Sequence, residues 1–184
     1  ICQIFVAKTG NDLFGEQVRK SLKEDNIVTD YVFTDNYHPS GVALITIDKD
    51  AENCIVVASG ANMHLVPTDI DIAATEIGSA DVVLMQLECP VPTVAYAARM
   101  AAKAGVPVIL NPAPAPSEPL STELLHDLYL ITPNRSEASR ISGIEVKDME
   151  SAQRAAKAIH DMGPRNVIIT LGGDGSLVYD GKMF

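Results

Sequence analysis

Residues 81–115 read DVVLMQLECPVPTVAYAARMAAKAGVPVILNPAPA, and the change of period inside this stretch decides the fold. Val82-Val83-Leu84-Met85-Gln86 is a short apolar run of the kind buried on both faces of a parallel sheet. From Pro92 to Ala104, Val94, Ala98 and Ala101 recur at helical spacing, and Gly105 supplies a left-handed stop. Val106 to Leu110 is the next strand. Strand, helix and strand joined this closely make a βαβ unit. Asn111-Pro112-Ala113-Pro114-Ala115-Pro116 follows, and its prolines forbid helix and ladder pairing, so it is a rigid loop at the carboxyl end of a strand.

The same alternation continues downstream. Leu128 to Thr132 reads as a strand, Glu137 to Ile141 as a helix ending at Gly143, and Val167 to Leu171 as a further strand. Between them, Ala152, Ala155, Ala156, Ile159 and Met162 form one apolar stripe of a helix from Glu150 to Met162, with Gly163 after it. Ser176 to Phe184 is strand-like to the end of the chain. Upstream, a strand (Gln3 to Ala7) and a helix marked by Phe14, Val18 and Leu22 precede two β-rich runs, Gly41 to Asp48 and Cys54 to Ala58. The polar turn from Asp48 to Asn53 joins those runs into a hairpin. The expected fold class is α/β: a doubly wound, mainly parallel sheet with a small β lid, the lid segment spanning about residues 32–62 of one incomplete domain over 1–184. An edge hairpin without a part in the chemistry is the alternative reading of that segment.

Composition excludes several functions. The chain carries 14 basic and 24 acidic side chains, a formal net charge of −10, and no basic stripe that would displace counterions from nucleic acid or anchor it to an anionic membrane. Its apolar runs are too short to span a bilayer and no secretory pattern opens it, which points to a cytoplasmic protein. Cys2, Cys54 and Cys89 are widely spaced and read as reduced thiols. The four histidines show no paired metal spacing.

Open α/β sheets bind ligands at the carboxyl ends of their strands, so the residues there are the candidates. Glu88 suits two substrate hydroxyls, because a carboxylate accepts from both at once; it suits equally well the positive end of the helix that begins near Pro92. Asn134-x-x-Glu137 is a capping-box pattern, and also a pair that would reach nucleotide phosphates and the water shell of Mg²⁺. Gly172-Gly173-Asp174-Gly175 lacks the Gly-Lys-Ser/Thr of a phosphate-binding loop and runs into a strand at Ser176-Leu177-Val178-Tyr179. It is either a plain glycine turn or a place where backbone approaches a ligand closely.

Taken in order, Gly10-Asn11-Asp12-Leu13-Phe14-Gly15, Ser40-Gly41-Val42-Ala43, Gly60-Ala61-Asn62-Met63, Gln86-Leu87-Glu88, the Asn-Pro-Ala-Pro-Ala loop, Thr132-Pro133-Asn134-Arg135-Ser136-Glu137-Ala138 and Thr170-Leu171-Gly172-Gly173-Asp174-Gly175 resemble the ribokinase-like family of carbohydrate and nucleoside kinases. The resemblance implies ATP-dependent phosphorylation of D-ribose to ribose 5-phosphate, or of another sugar or nucleoside. It implies Glu88 on the sugar, Asn134 on ATP, Glu137 organising Mg²⁺, and Thr170, Leu171, Gly172, Gly173, Asp174 and Gly175 bordering the nucleotide. It further implies a lid that pairs two subunits as a homodimer. The family's catalytic base, anion-hole amides and K⁺ site belong to a region expected after Phe184, and most sugar contacts to one expected before Ile1. The 184-residue polypeptide alone is therefore expected to bind without turnover, as would a non-catalytic nucleotide- or sugar-binding module.

Overall fold

The computed structural model describes residues 2–47, 49 and 53–184. The chain forms two compact units, one running to Ala73 and including Glu88–Thr93, the other made of Ala74–Leu87 and Val94–Phe184.

In the first unit, β1 (Gln3–Ile4) and β2 (Ala7–Gly10) lead into α1 (Leu13–Glu24), which returns to β3 (Ile27–Val28) and β4 (Val32–Asp35). β1 pairs parallel with β3, and β2 with β4. The pairing register slips by one residue between the two ladders, so a bulge splits what the sequence presents as one strand from Gln3 to Ala7. The amides of Phe5 and Ala7 still bond to the carbonyls of Val28 and Tyr31 and carry the pairing across the break. Asp12 caps α1 by accepting from the Gly15 amide, and Glu16 and Lys23 complement the helix dipole at either end. The expected hairpin forms from β5 (Val42–Ile47) and β6 (Asn53–Ala58), in register from Val42 opposite Ala58 to Ile47 opposite Asn53. Most of its turn lies outside the described residues. A 3-10 turn (Gly60–His64) and α2 (Pro67–Ile72) complete this part of the unit.

The second unit holds α3 (Ala74–Ser79), β7 (Val83–Met85), most of α4 (Val91–Lys103), β8 (Val108–Leu110), α5 (Thr122–His126), β9 (Leu130–Ile131), α6 (Arg135–Ser142), α7 (Met149–Asp161), β10 (Asn166–Thr170) and β11 (Ser176–Tyr179). Its sheet has the order β11-β10-β9-β8-β7, parallel from β7 to β10 and antiparallel at β11. Val108, Leu110, Ile131, Val167 and Ile169 are fully buried in it, each worth about 1.5–3 kcal/mol on removal from water. α7 lies on β10 and β11 with Ala152, Ala155, Ala156 and Ile159 inward, while Met162, the fifth residue of the stripe read from the sequence, is the half-buried C-cap. Gly143 ends α6 at φ +71°, where only glycine is unstrained.

One expectation needs correction. β11 ends at Tyr179, so the residues after it do not extend the strand. Among the described residues, no helix is long and apolar enough to cross a membrane.

Candidate active site

Parallel pairing puts the carboxyl ends of β7 to β10 along one rim of the second unit. After β7, the Leu87 amide donates to the Ala113 carbonyl at 2.8 Å, so this segment lies beside the Asn-Pro loop that follows β8. After β9 and β10 the chains stay side by side. Asn134 bridges Thr170, and the Thr170 amide donates to the Pro133 carbonyl at 2.9 Å. The structure thus brings together the two segments expected on the nucleotide.

The helix start at Asn134 is a completed capping box. The Glu137 amide donates to Asn134 Oδ1 at 2.9 Å, and the Asn134 amide and Nδ2 donate to the two Glu137 carboxylate oxygens at 2.8 Å each. Glu137 is only 5% exposed, so these bonds are what keep a buried carboxylate satisfied. Its structural role is therefore realised. Each oxygen retains a further lone pair, and a buried oxygen donor of this kind fits a hard cation through an intervening water.

Arg135 ties the two segments together. Its Nε and Nη2 donate to the Leu171 carbonyl at 3.4 and 3.3 Å, and Nη2 pairs with Asp174 at 2.5 Å. Leu171 is buried, so only its backbone faces the rim, whereas Thr170, Gly172, Gly173, Asp174 and Gly175 are exposed. Gly172 and Gly175 have φ of +64° and +89° and close the turn through the Gly175 amide and the Gly172 carbonyl. Gly173 has no such backbone demand, and a Cβ there would meet nothing within 4 Å. An open depression of about 540 Å³ lined by Arg135, Ser136, Ser139, Arg140, Glu145 and Val146 begins at the same helix; Asn134, Glu137 and the glycine turn are not among its lining residues.

The sugar-side candidate belongs to the first unit. Glu88 is half-buried and has no side-chain hydrogen bond among the described residues. Burial, and then the Glu88 charge, push the thiol of neighbouring Cys89 up, which keeps it protonated and unreactive near neutral pH.

The glycine motifs of the first unit, quoted from the sequence without a role, turn out to build one hub. Asp12 accepts from the Ser40 amide and hydroxyl at 2.7 Å each, besides capping α1, and Ser40 Oγ accepts from the Gly10 amide at 2.9 Å. These donors, the Ser40 amide foremost, hold the Asp12 carboxyl below its usual range. A Cβ on Gly10 would strike Ser40, one on Gly15 would strike the Gly10 carbonyl, and one on Gly60 would strike the Pro39 carbonyl. The Ala61 amide closes the hub on that same Pro39 carbonyl at 2.8 Å. Both feet of the hairpin are thereby fixed to the start of α1.

Three relatives put this geometry in context. The chain is 46% identical over 172 residues to the bifunctional ribokinase/ribose-5-phosphate isomerase A of Fructilactobacillus sanfranciscensis, covering 94% of this chain and 32% of that protein. It is 42% identical over 174 residues to the ribokinase of Haemophilus influenzae, covering 95% of this chain and 56% of that one. The solved structure of Arabidopsis thaliana ribokinase complexed with ribose and ATP matches all of this chain and 59% of its own with a TM-score of 0.87 at 30% identity. The chain thus spans little more than half the length of the two ribokinases. The family described as pfkB family carbohydrate kinase matches residues 2–184, and the chain, with its parallel sheet and ordered loop motifs, belongs to that family.

Proposed function

We propose that the protein carrying this chain transfers the terminal phosphoryl group of ATP to the primary hydroxyl of D-ribose, giving ribose 5-phosphate and ADP. One relative is named ribokinase and another bifunctional ribokinase/ribose-5-phosphate isomerase A, and the Arabidopsis ribokinase structure is complexed with ribose and ATP. In this reading Asn134, Thr170, Gly172, Gly173, Asp174, Gly175 and the backbone of Leu171 border the nucleotide. Glu88 accepts hydrogen bonds from sugar hydroxyls. Glu137 holds a water of Mg²⁺, whose chemistry is to neutralise the charge that builds on the phosphates. No residue described above is assigned as the catalytic base or to K⁺.

One observation carries the nucleotide end of the reading. Gly173 needs no left-handed backbone and has empty space where a side chain would stand, so the fold itself does not require glycine there. Close approach of a ligand to the backbone would require it. Arg135 holds that turn through the Leu171 carbonyl and Asp174 before ligand arrives, the preorganisation that electrostatic stabilisation of phosphoryl transfer requires.

The β5–β6 hairpin is proposed as the lid that keeps water from the sugar, and as the surface through which two subunits pair. All six β5 residues are exposed, and Leu44, Ile45, Ile47, Ile55, Val56 and Val57 place apolar surface on both faces of a two-stranded ribbon. Such a ribbon is marginal alone and gains from a covering partner. A cytoplasmic site of action completes the proposal.

The test is ADP release by the full-length protein with ATP, Mg²⁺ and K⁺ across ribose, other pentoses, hexoses and nucleosides. Turnover highest on ribose supports the proposal; turnover confined to another member of the panel reassigns the substrate within the family; no sugar-dependent turnover on any of them refutes it.

A further inference from the structure

An aspartate and two histidines from separate segments of the first unit meet in space. Asp35 closes β4, His38 lies in the loop leading to β5, and His64 ends the 3-10 turn that follows β6. One carboxylate oxygen and one nitrogen from each ring lie within 4.8 Å of one another. We propose that Asp35, His38 and His64 bind a divalent transition-metal ion of the zinc class, which staples together the two feet of the β5–β6 hairpin. This goes beyond the kinase reading and does not rest on it.

The donor set chooses the ion. Two imidazoles and one carboxylate suit Zn²⁺, Co²⁺, Ni²⁺ or Cu²⁺, whereas Mg²⁺ and Ca²⁺ prefer oxygen throughout. The carboxylate is oriented in advance. Asp35 Oδ1 accepts from the amides of Tyr37 at 2.7 Å and His38 at 3.1 Å, which leaves Oδ2 3.0 Å from His38 Nδ1. Oδ2 either shares the ion with the His38 ring or fixes which ring nitrogen faces it, the carboxylate–histidine–metal pairing common around such ions.

The two rings must rotate to share an ion. They stack with centroids 3.5 Å apart and 11° between their planes, and converging both lone pairs at about 2.0–2.1 Å on one ion requires them to splay. The His38 side chain is exposed, so its ring turns into solvent. The backbone beneath His64 is anchored, since its carbonyl accepts from Lys8 Nζ at 3.0 Å, and Asp69 at 2.6 Å neutralises that ammonium. Because the hairpin lies between His38 and His64 in the chain, chelation closes a loop around it, restricting the unfolded chain and fixing both hairpin feet.

The experiment uses the full-length protein stripped with a chelator and titrated with Co²⁺, then Zn²⁺. The proposal expects one equivalent of Co²⁺ with visible ligand-field absorption, its displacement by Zn²⁺ but not by equal Mg²⁺, and a higher melting temperature with Zn²⁺. His38→Asn, His64→Asn and Asp35→Asn should each weaken Zn²⁺ binding at least about tenfold, while His126→Asn leaves it unchanged. Melting curves without metal check that each variant is folded. Absence of binding by the wild type overturns the proposal. So does binding that survives unchanged in both folded histidine variants, which places the ion elsewhere.

Discussion

Gly173→Ala separates a ligand's demand for glycine from the fold's own. In the structure the new methyl meets nothing within 4 Å and the backbone is not left-handed. The substitution should therefore stabilise the folded state by about 0.4–1 kcal/mol, because it restricts the unfolded chain. That corresponds to a rise of roughly 1–4 °C in melting temperature. If nucleotide lies against this turn, the same methyl occupies its space, at a cost of about 1–3 kcal/mol. The KM for ATP should then rise about fivefold to 150-fold with the KM for ribose unchanged. Gly172→Ala is the counterpart: at φ +64° it should lose about 1–2 kcal/mol of stability, for backbone reasons alone. The two readouts are thermal melting and initial rates at varied ATP in the full-length enzyme. A Gly173→Ala protein that is more stable and keeps its KM for ATP would refute the placement of nucleotide at this turn.

Asn134→Ala removes the cap of α6 and the amide facing a buried carboxylate, so urea denaturation should show a loss of about 1–2 kcal/mol, accompanied by a higher KM for ATP. Gly15→Ala drives a methyl into the Gly10 carbonyl, which cannot yield as a side chain does; a loss of about 1–3 kcal/mol is expected from the same measurement. Asp12 supplies a pH signature. Its folded carboxyl sits below the ordinary aspartate value of 3.8, so its stabilisation is complete above that pH and is lost as pH falls through the depressed value. The stability gap between wild type and Asp12→Asn, followed by denaturation from pH 6 downward (a range of about three units), should stay constant at first and close at the acid end; a gap that widens on acidification would contradict the hub.

Much of this was legible in the residues because the informative signals were long or local. The α7 stripe runs over three turns and ends in Gly163, and the Asn134–Glu137 box needs only its own four residues. What escaped was short or non-local. α2, α3 and α5 have five or six residues each, too few for a helical period to show, although Pro67 and Ser121 mark two of their starts. The bulge between β1 and β2 depends on a partner strand more than twenty residues away. The Asp12–Ser40 hub and the Asp35–His38–His64 cluster likewise join residues that only the folded hairpin feet bring together. Arg135, inside a quoted motif, gave no sign in sequence that its guanidinium reaches the glycine turn after the neighbouring strand.

The fate of the phosphoryl group tests the central claim most directly. Phosphorus NMR of the full-length protein incubated with ATP, Mg²⁺, K⁺ and ribose should show a sugar phosphate monoester coupled to a methylene pair growing in step with ADP, and Glu88→Ala should suppress it. A spectrum in which ATP is unchanged, or yields only inorganic phosphate at a rate indifferent to ribose, would contradict the account.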